Sequence, residues 1–415
     1  MKVAIIGGGV AGLYAASILK DRNYTVQLFE ATDRLGGRIY TKQLHEHQFI
    51  ELGAAEIHGK SAVIHEMLTH LGQKLEPIVG DEFVWFNKHL IDTERLLDLP
   101  SIIQEIFNYF ENIDLETFDG TVLQALKQKG LYNAQVRHII RGILSEYSTD
   151  AEKAHAFSLG EDEWRWSSGD RNYFSWGKYS DAVDFFVKKL KSNIFTSSAV
   201  VDVNYLENNV QLLLHDGTVH TFDKVIITAS LGALKEKKIN FTPVLPQNKL
   251  IAIETLGFGK GRKLFIEFNS PFWEEDTVEI IGGEKCPMYL IRPSHPNHIV
   301  AFLMGDASEE FNQLNDDELA EILINELDEM YPKQQVMVLY KSHFGQDWSK
   351  QQYTCGTYSF ATKNANEHRA ALKEPINNKI FFIGEACHTN GHVATVHGAM
   401  ETAEEVVENY FAINV

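Results

Sequence analysis

Three unbroken apolar runs punctuate the chain: KVAIIG at 2–7, KVIITAS at 224–230 and KIFFIG at 379–384. Continuous rather than alternating apolar residues predict strands buried on both faces of a parallel sheet. The runs lie far apart, so a shared sheet implies a discontinuous domain with other chain inserted between its pieces. Residues 94–157 carry apolar positions at three- and four-residue spacing, as in LLDLPSIIQEIFNYF, and predict helices. Residues 196–222 predict a meander with turns at Asn208-Asn209 and Asp216-Gly217. More strands are predicted over 261–304, and helices over 316–331 and 395–412. The segment LGFGKGRKLFIEF (256–268) predicts a half-buried strand, with Leu264, Ile266 and Phe268 on one face and Lys263, Phe265 and Glu267 on the other. A lone strand lysine ordinarily points to water, because an unpaired buried ammonium is costly.

Composition narrows the class. A chain of 415 residues is too long for one simple core, so two or more domains are expected. At 44% hydrophobic and 23% charged it reads as an ordinary globular protein. The formal net charge of −19 argues against nonspecific nucleic-acid binding and favours cationic small molecules. The acidic runs Gly160-Glu161-Asp162-Glu163 and Trp273-Glu274-Glu275-Asp276 either line an entrance for a polycation or are solvated turns. Cys286, Cys355 and Cys387 match no metal or disulfide pattern, and no metal is expected. With the first strand opening at residue 2, no signal peptide is expected, and no apolar run is long enough to span a bilayer. The expected location is the cytoplasm, with no membrane partner.

One motif carries chemistry. The strand KVAIIG runs into Gly7-Gly8-Gly9-Val10-Ala11-Gly12 and then an Ala-rich helix. Gly7 makes the turn, Gly9 lets backbone approach a pyrophosphate, and Gly12 lets helix and strand pack closely. The helix N-terminus presents free N–H groups to the phosphates. A second strand, YTVQLFEA, ends in Glu30, eighteen residues beyond Gly12. That acid can accept hydrogen bonds from ribose hydroxyls and disfavours a ribose phosphate. Ala31 and then Arg34-Leu35-Gly36-Gly37-Arg38 follow, a second glycine pair flanked by cations. This suits the longer reach of FAD.

The chain resembles the flavin-containing amine oxidases, which include monoamine oxidases, polyamine oxidases and flavin-dependent lysine demethylases. The resemblance runs in order through GGGVAGL, DRLGGR, ELGAAEIHG (51–59), FSWGKYSDAVDFFVKKL (174–190), the long stretch 223–273, CGTYSFA (355–361) and FFIGEACHTNGHVATVHGAMETAEE (381–405). It implies an α/β fold: a discontinuous Rossmann-like FAD-binding domain (1–75, 190–255 and 365–415) with an inserted substrate domain of mixed sheet plus helices (76–189 and 256–364). It also implies residue roles. Lys263 matches a lysine that holds a water against the reactive flavin nitrogen. Glu385, after Gly384, matches the acid that meets the ribityl-phosphate arm. Val200 matches a valine whose backbone meets adenine. Gly53 and Ala54 of ELGAAEIHG count with the cofactor set. A helix starting at Thr395-Val396 would aim its N-terminus at the flavin pyrimidine. Tyr358 matches a tyrosine walling the amine side, Trp348 a tryptophan near the flavin, and His58 a pocket histidine of animal polyamine oxidases. The second wall tyrosine of monoamine oxidases is Thr395 here. Thr357 stands where they carry the flavin-linking cysteine, so FAD is expected to be noncovalent, with Cys355 on the same strand face but displaced. Glu56 replaces the arginine with which amino-acid oxidases clamp a carboxylate. The implied activity is oxidation of a small-molecule amine, polyamine-like or monoamine, with oxygen as acceptor. The alternatives are a desaturase or porphyrinogen-type oxidase on an apolar substrate, or a flavin-binding module without catalysis.

Overall fold

In the computed structural model of the chain, the three apolar runs lie in one parallel sheet. Its order is Ile194–Phe195, Thr25–Phe29, Lys2–Ile6, Lys224–Ile227 and Ile380–Phe382. The structure describes residues 1–45, 48–93, 95 and 98–412. The helices Val10–Asp21 and Val396–Tyr410 pack against each other. Leu13, Ala16, Ala403 and Val407 from these helices share a core with Ile5 and Leu28 of the sheet. The meander is present: Val200–Asn204, Val210–Leu214 and Val219–Phe222 pair antiparallel, and Asn240–Thr242 joins its edge.

The chain divides into two units, one of residues 1–75, 165–258 and 351–415, the other of 76–164 and 259–350. Residues 165–189 and 351–364, expected with the substrate domain, thus fall in the first unit. Packing explains it. The helix Asp181–Leu190 buries Ala182, Val183, Phe186 and Leu190 in the core of the first helix. Ser359–Phe360 pairs with Gly257–Phe258, which also moves to this unit.

The second unit is built on a seven-stranded mixed sheet in the order Tyr340–Asp347, Gly261–Phe268, His298–Met304, Met288–Leu290, Thr277–Ile281, Asp81–Phe86, His89–Asp92. The helix Asp316–Met330 starts at a capping box of Asn315 and Glu318 and lays Leu319, Leu323 and Leu327 on the sheet. The strand Gly261–Phe268 was expected to be half-buried, yet only Glu267 of its eight residues is not buried. It pairs on both edges, and the side chains of both its faces are buried apart from Glu267, so neither face is a water face.

In the predicted helical stretch, Glu94, Leu96 and Leu97 lie outside the described residues, and helices follow at Ser101–Glu111, Val122–Gln128 and Arg137–Ser145. The acidic run at 160–163 is neither a turn nor a surface patch. It lies in the helix Ala156–Trp164, where Asp162 is buried and Glu163 accepts a 3.0 Å hydrogen bond from Tyr147. The run at Glu274-Glu275-Asp276 is exposed. Among the described residues no helix is long and apolar enough to cross a membrane.

Candidate functional site

The glycine loop behaves as its residues dictate. Gly7 takes φ 112°, open to glycine at little cost. A side chain at Gly12 would strike the Gly7 carbonyl, inside the 3.0 Å that real Cβ atoms respect. A side chain at Gly9 would meet nothing within 4 Å, so bare backbone faces open space there. Gly9 is the N-cap of the helix Val10–Asp21, and no side chain caps it. The first-turn N–H groups are left for an anion. The second glycine pair lies against the first: Gly36 N–H donates to Gly8 O at 2.8 Å, and Gly9 and Gly36 form a parallel bridge.

Glu30 ends its strand beside this loop. Its carboxylate accepts from Gly8 N–H (2.7 Å), Thr32 N–H (2.8 Å) and Thr32 Oγ1 (2.7 Å). It therefore braces the loop and Ala31-Thr32 turn directly. Arg34 does not present its guanidinium as a free cation. It donates to the carbonyls of Leu35, Gly37 and Ile39 at 2.6 to 3.1 Å, and stacks on Tyr40. Arg34 is thus the internal brace of the second glycine turn.

Arg38 and Glu385 meet across 2.7 Å. Glu385 is 4% exposed, and its other oxygen accepts from Ser359 Oγ at 2.6 Å. Arg38 also donates to Thr357 O (2.8 Å), and its own carbonyl accepts from Ala54, next to Gly53 (2.9 Å). The pair walls a cleft lined by Thr228, Ala229, Ser230 and Gly384, beyond the carboxyl ends of the parallel strands. Gly384 takes φ 128°, and a side chain on it would meet nothing within 4 Å. Bare backbone at Gly9 and Gly384, an uncapped helix start and an ion pair between them suit a long, phosphate-bearing dinucleotide. Val200 is buried at a bulge of the meander.

The C-terminal helix begins at Val396 with Thr395 as its N-cap, whose hydroxyl accepts from Gly398 N–H at 3.0 Å. Tyr358 is half-buried, just before the strand Ser359–Phe360. Cys355 does not share a strand face with Thr357. It sits in a turn at φ 59°, with its thiol bonded to Gln352 O at 3.3 Å. His58 is half-buried, with Nδ1 3.0 Å from Asn172 Oδ1. Glu56 is half-buried, and its carbonyl accepts from Tyr179 at 3.5 Å.

In the second unit Lys263 is buried, 8% exposed. It faces Phe302 across the ladder, its Nζ 5.4 Å from that ring, and pairs in register with Gln346 on the other edge. Buried Trp348 continues the same ladder end, its N–H donating to Gly261 O at 3.0 Å.

The sequence profile described as flavin containing amine oxidoreductase matches residues 10–409. The chain belongs to that family. The oxidoreductase acts on amines, and its cofactor is FAD. It is 28% identical to polyamine oxidase 5 of Oryza sativa subsp. japonica over 98% of this chain and 87% of that one. Cyclohexylamine oxidase of Brevibacterium oxydans superimposes with a TM-score of 0.82 at 19% identity, covering 98% of each chain. A redesigned putrescine oxidase gives 0.83 at 17% identity, covering 99% and 98%. These two likenesses establish the α/β fold.

Sequence reasoning missed a polar cluster in the oxidoreductase. Glu401 receives His388 Nε2 at 2.8 Å and His392 Nδ1 at 2.7 Å. His392 Nε2 lies 3.0 Å from both Ser167 Oγ and Ser168 Oγ, and Ser168 Oγ lies 2.9 Å from His397 Nε2. The Trp166 ring packs edge-on against His58, His392 and His397. Burial would raise the Glu401 carboxyl, but the two imidazole hydrogen bonds outweigh it and bring it down to about 2. Burial and the neighbouring His392 push His397 down to about 3. The spacing His388, His392, His397, Glu401 was the available signal, though its partner serines lie more than 200 residues away.

Proposed function

We propose that this protein is an FAD-dependent oxidase of a small amine, polyamine-like or monoamine, with FAD held noncovalently in a Rossmann-like domain. Amine and oxygen would give imine and hydrogen peroxide, and water would then hydrolyse the imine to an aldehyde and the released amine or ammonia. The observation that carries the reading is the burial of Lys263 in a central strand, against the usual preference of a strand lysine for water.

Bound FAD supplies the two-electron acceptor for a hydride leaving the amine α-carbon. The rest is the work of side chains and backbone. The turns at Gly7, Gly9, Gly36 and Gly37 would cradle the pyrophosphate, and Glu30 the ribose edge. Arg38 and Glu385 would fix the ribityl arm, and the start of the Val396–Tyr410 helix would place its positive end against the pyrimidine, worth about 0.3 to 2 kcal/mol. The Lys263 ammonium would hold one water and favour negative charge developing on oxygen. Tyr358 and Trp348 would offer aromatic faces that align an alkylamine, and His58 would hydrogen-bond it. Thr395 in place of the second wall tyrosine distinguishes the pocket from that of monoamine oxidases, and Glu56 in place of a carboxylate clamp favours amines over amino acids. Thr357 in the linking position and a carbonyl-bonded Cys355 thiol favour unlinked FAD. Three buried cysteines, none in a disulfide, fit a reducing location such as the cytoplasm.

The test is an anaerobic panel of monoamines, polyamines and amino acids mixed with the purified yellow protein. Bleaching of the flavin by an amine supports the reading and identifies the substrate class. Oxidation of a lipophilic ring system with no response to amines would select a desaturase-type enzyme instead. A flavin that no reductant of either kind bleaches would leave a binding module.

A further inference from the structure

None of the cluster Ser167, His392 and Glu401 lines the cleft beside Arg38 and Glu385, and its hydrogen bonds set its tautomers. The backbone N–H groups of Asn390 and His392 both donate to His388 Nδ1 at 3.2 Å, so His388 carries its proton on Nε2 and gives it to Glu401. Ser167 N–H donates to His392 Nε2 at 3.4 Å, so His392 carries its proton on Nδ1, also toward Glu401. Two imidazoles and a carboxylate are also a donor set for zinc. A metal on His388 Nε2 would, however, require a proton on Nδ1, against two N–H donors. The arrangement suits a proton and not a metal.

What remains is a directional chain. The lone pair of His392 Nε2 faces two hydroxyls at 3.0 Å. Ser168 is buried and shared with His397, whereas Ser167 is exposed. Beside Ser167 stands Trp166, half-buried, its ring 5.2 Å from His392 and 6.4 Å from His58. An exposed hydroxyl is therefore backed by an oriented base and an ionised acid, and flanked by an aromatic ring.

We propose that this chain takes the proton of the incoming substrate ammonium, with Ser167 touching the amine and His392 and Glu401 positioned behind it. The inference rests on the amine-oxidase reading above. An alkylammonium holds its proton to roughly pH 10 in water, while hydride loss needs the neutral amine. As the ammonium N–H bond passes its proton to Ser167 Oγ, the Ser167 proton passes to His392 Nε2. The products are a neutral amine and an imidazolium facing the Glu401 carboxylate at 2.7 Å. The proton then returns to solvent through the exposed hydroxyl. The other titratable groups around His392 are His388, stacked at 5.2 Å, and His397 at 4.7 Å. His397 is held neutral by burial and His392. Farther out, Lys373 binds Glu405 at 2.9 Å and Thr389 at 3.2 Å.

The experiment is the pH profile of kcat/KM for the best amine, in the wild-type holoenzyme and in His392→Gln and Ser167→Ala. The relay predicts an acid limb displaced upward by about one pH unit or more, with near-wild-type rates restored only at about pH 11, where an amine that holds its proton to roughly pH 10 is largely neutral unaided. A merely structural role predicts loss at every pH with the limb unmoved, and that result overturns the relay. Ser167 is exposed, so its variant decides if His392→Gln does not fold. If no amine bleaches the wild-type flavin, the functional reading falls and the relay with it. If amines bleach it and both limbs stay in place, the relay alone falls.

Discussion

Gly12→Ala sets two known effects against each other at the base of the cofactor site. In a helix interior, alanine is favoured over glycine by about 1 kcal/mol, so propensity alone predicts a more stable protein. The structure opposes it. The new Cβ would lie inside 3.0 Å of the Gly7 carbonyl, with Ile5 Cγ2 and Thr228 Oγ1 each at 3.2 Å. The carbonyl is backbone at a φ 112° turn and already accepts Thr228 Oγ1 at 3.2 Å, so it cannot swing aside as a side-chain tip would. Overpacking a fixed contact costs roughly 1 to 3 kcal/mol, and a backbone clash belongs at the upper end. The net expectation is destabilisation by about 1 to 2 kcal/mol. The larger effect is on FAD, because the helix must retreat from the strand and carry its N–H groups away from the pyrophosphate. Flavin absorbance per mole of purified protein, beside urea unfolding followed by far-UV circular dichroism, measures both. Full flavin content with unchanged or raised stability would refute the close-packing argument and the phosphate site built on it.

Other expectations follow from single residues. His298 is 3% exposed, has no hydrogen-bond partner for either ring nitrogen, and is pushed down to about 4 chiefly by burial and His295. Its folded pKa lies below the ordinary 6.5, so its share of stability is present at neutral pH and is lost as pH falls from 6.5 toward 4, approaching roughly 3 kcal/mol. His298→Phe should flatten urea stability over that window, and an identical slope in both proteins would exclude the assignment. Glu385→Gln leaves Arg38, itself partly exposed, without its ion pair, so flavin content should fall several-fold; a fully yellow variant would remove the pair from the site. Acid precipitation should release all the yellow colour into the supernatant, and flavin remaining in the pellet would indicate a covalent link.

The parts of the fold read from sequence were those written in contiguous residues. Unbroken apolar runs gave the parallel strands, because burial on both faces removes alternation. The loop from Gly7 to Gly12 announced its turn because each glycine there answers a local geometric demand. The helix over 395–412 was legible in its own residues, and its start at Thr395-Val396 came from the family resemblance. What escaped depended on distant partners. Lys263 shares a strand whose pattern alternates, yet both edges are paired and both faces covered, which no window of eight residues can reveal. Arg34 looks like a phosphate cation in sequence, but the nearest acceptors turned out to be the carbonyls of its own loop. Glu161 to Glu163 read as a solvated turn or the lining of an entrance, but they lie in a helix that buries Asp162. The serine–histidine–glutamate cluster has a local trace only in the spacing of His388, His392, His397 and Glu401, and its serines come from a segment more than 200 residues away.

The most direct test of the account is the half-reaction that depends on Lys263. Lys263→Met should fold, stay yellow and still be reduced by the preferred amine without oxygen. When the reduced protein is mixed with oxygen in a stopped-flow instrument, recovery of the oxidised flavin spectrum should be slower than wild type by about ten-fold or more, since a preorganised charge aimed at developing negative charge is worth several kcal/mol. Recovery at the wild-type rate in the folded, flavin-bearing variant would contradict the role given to this ammonium.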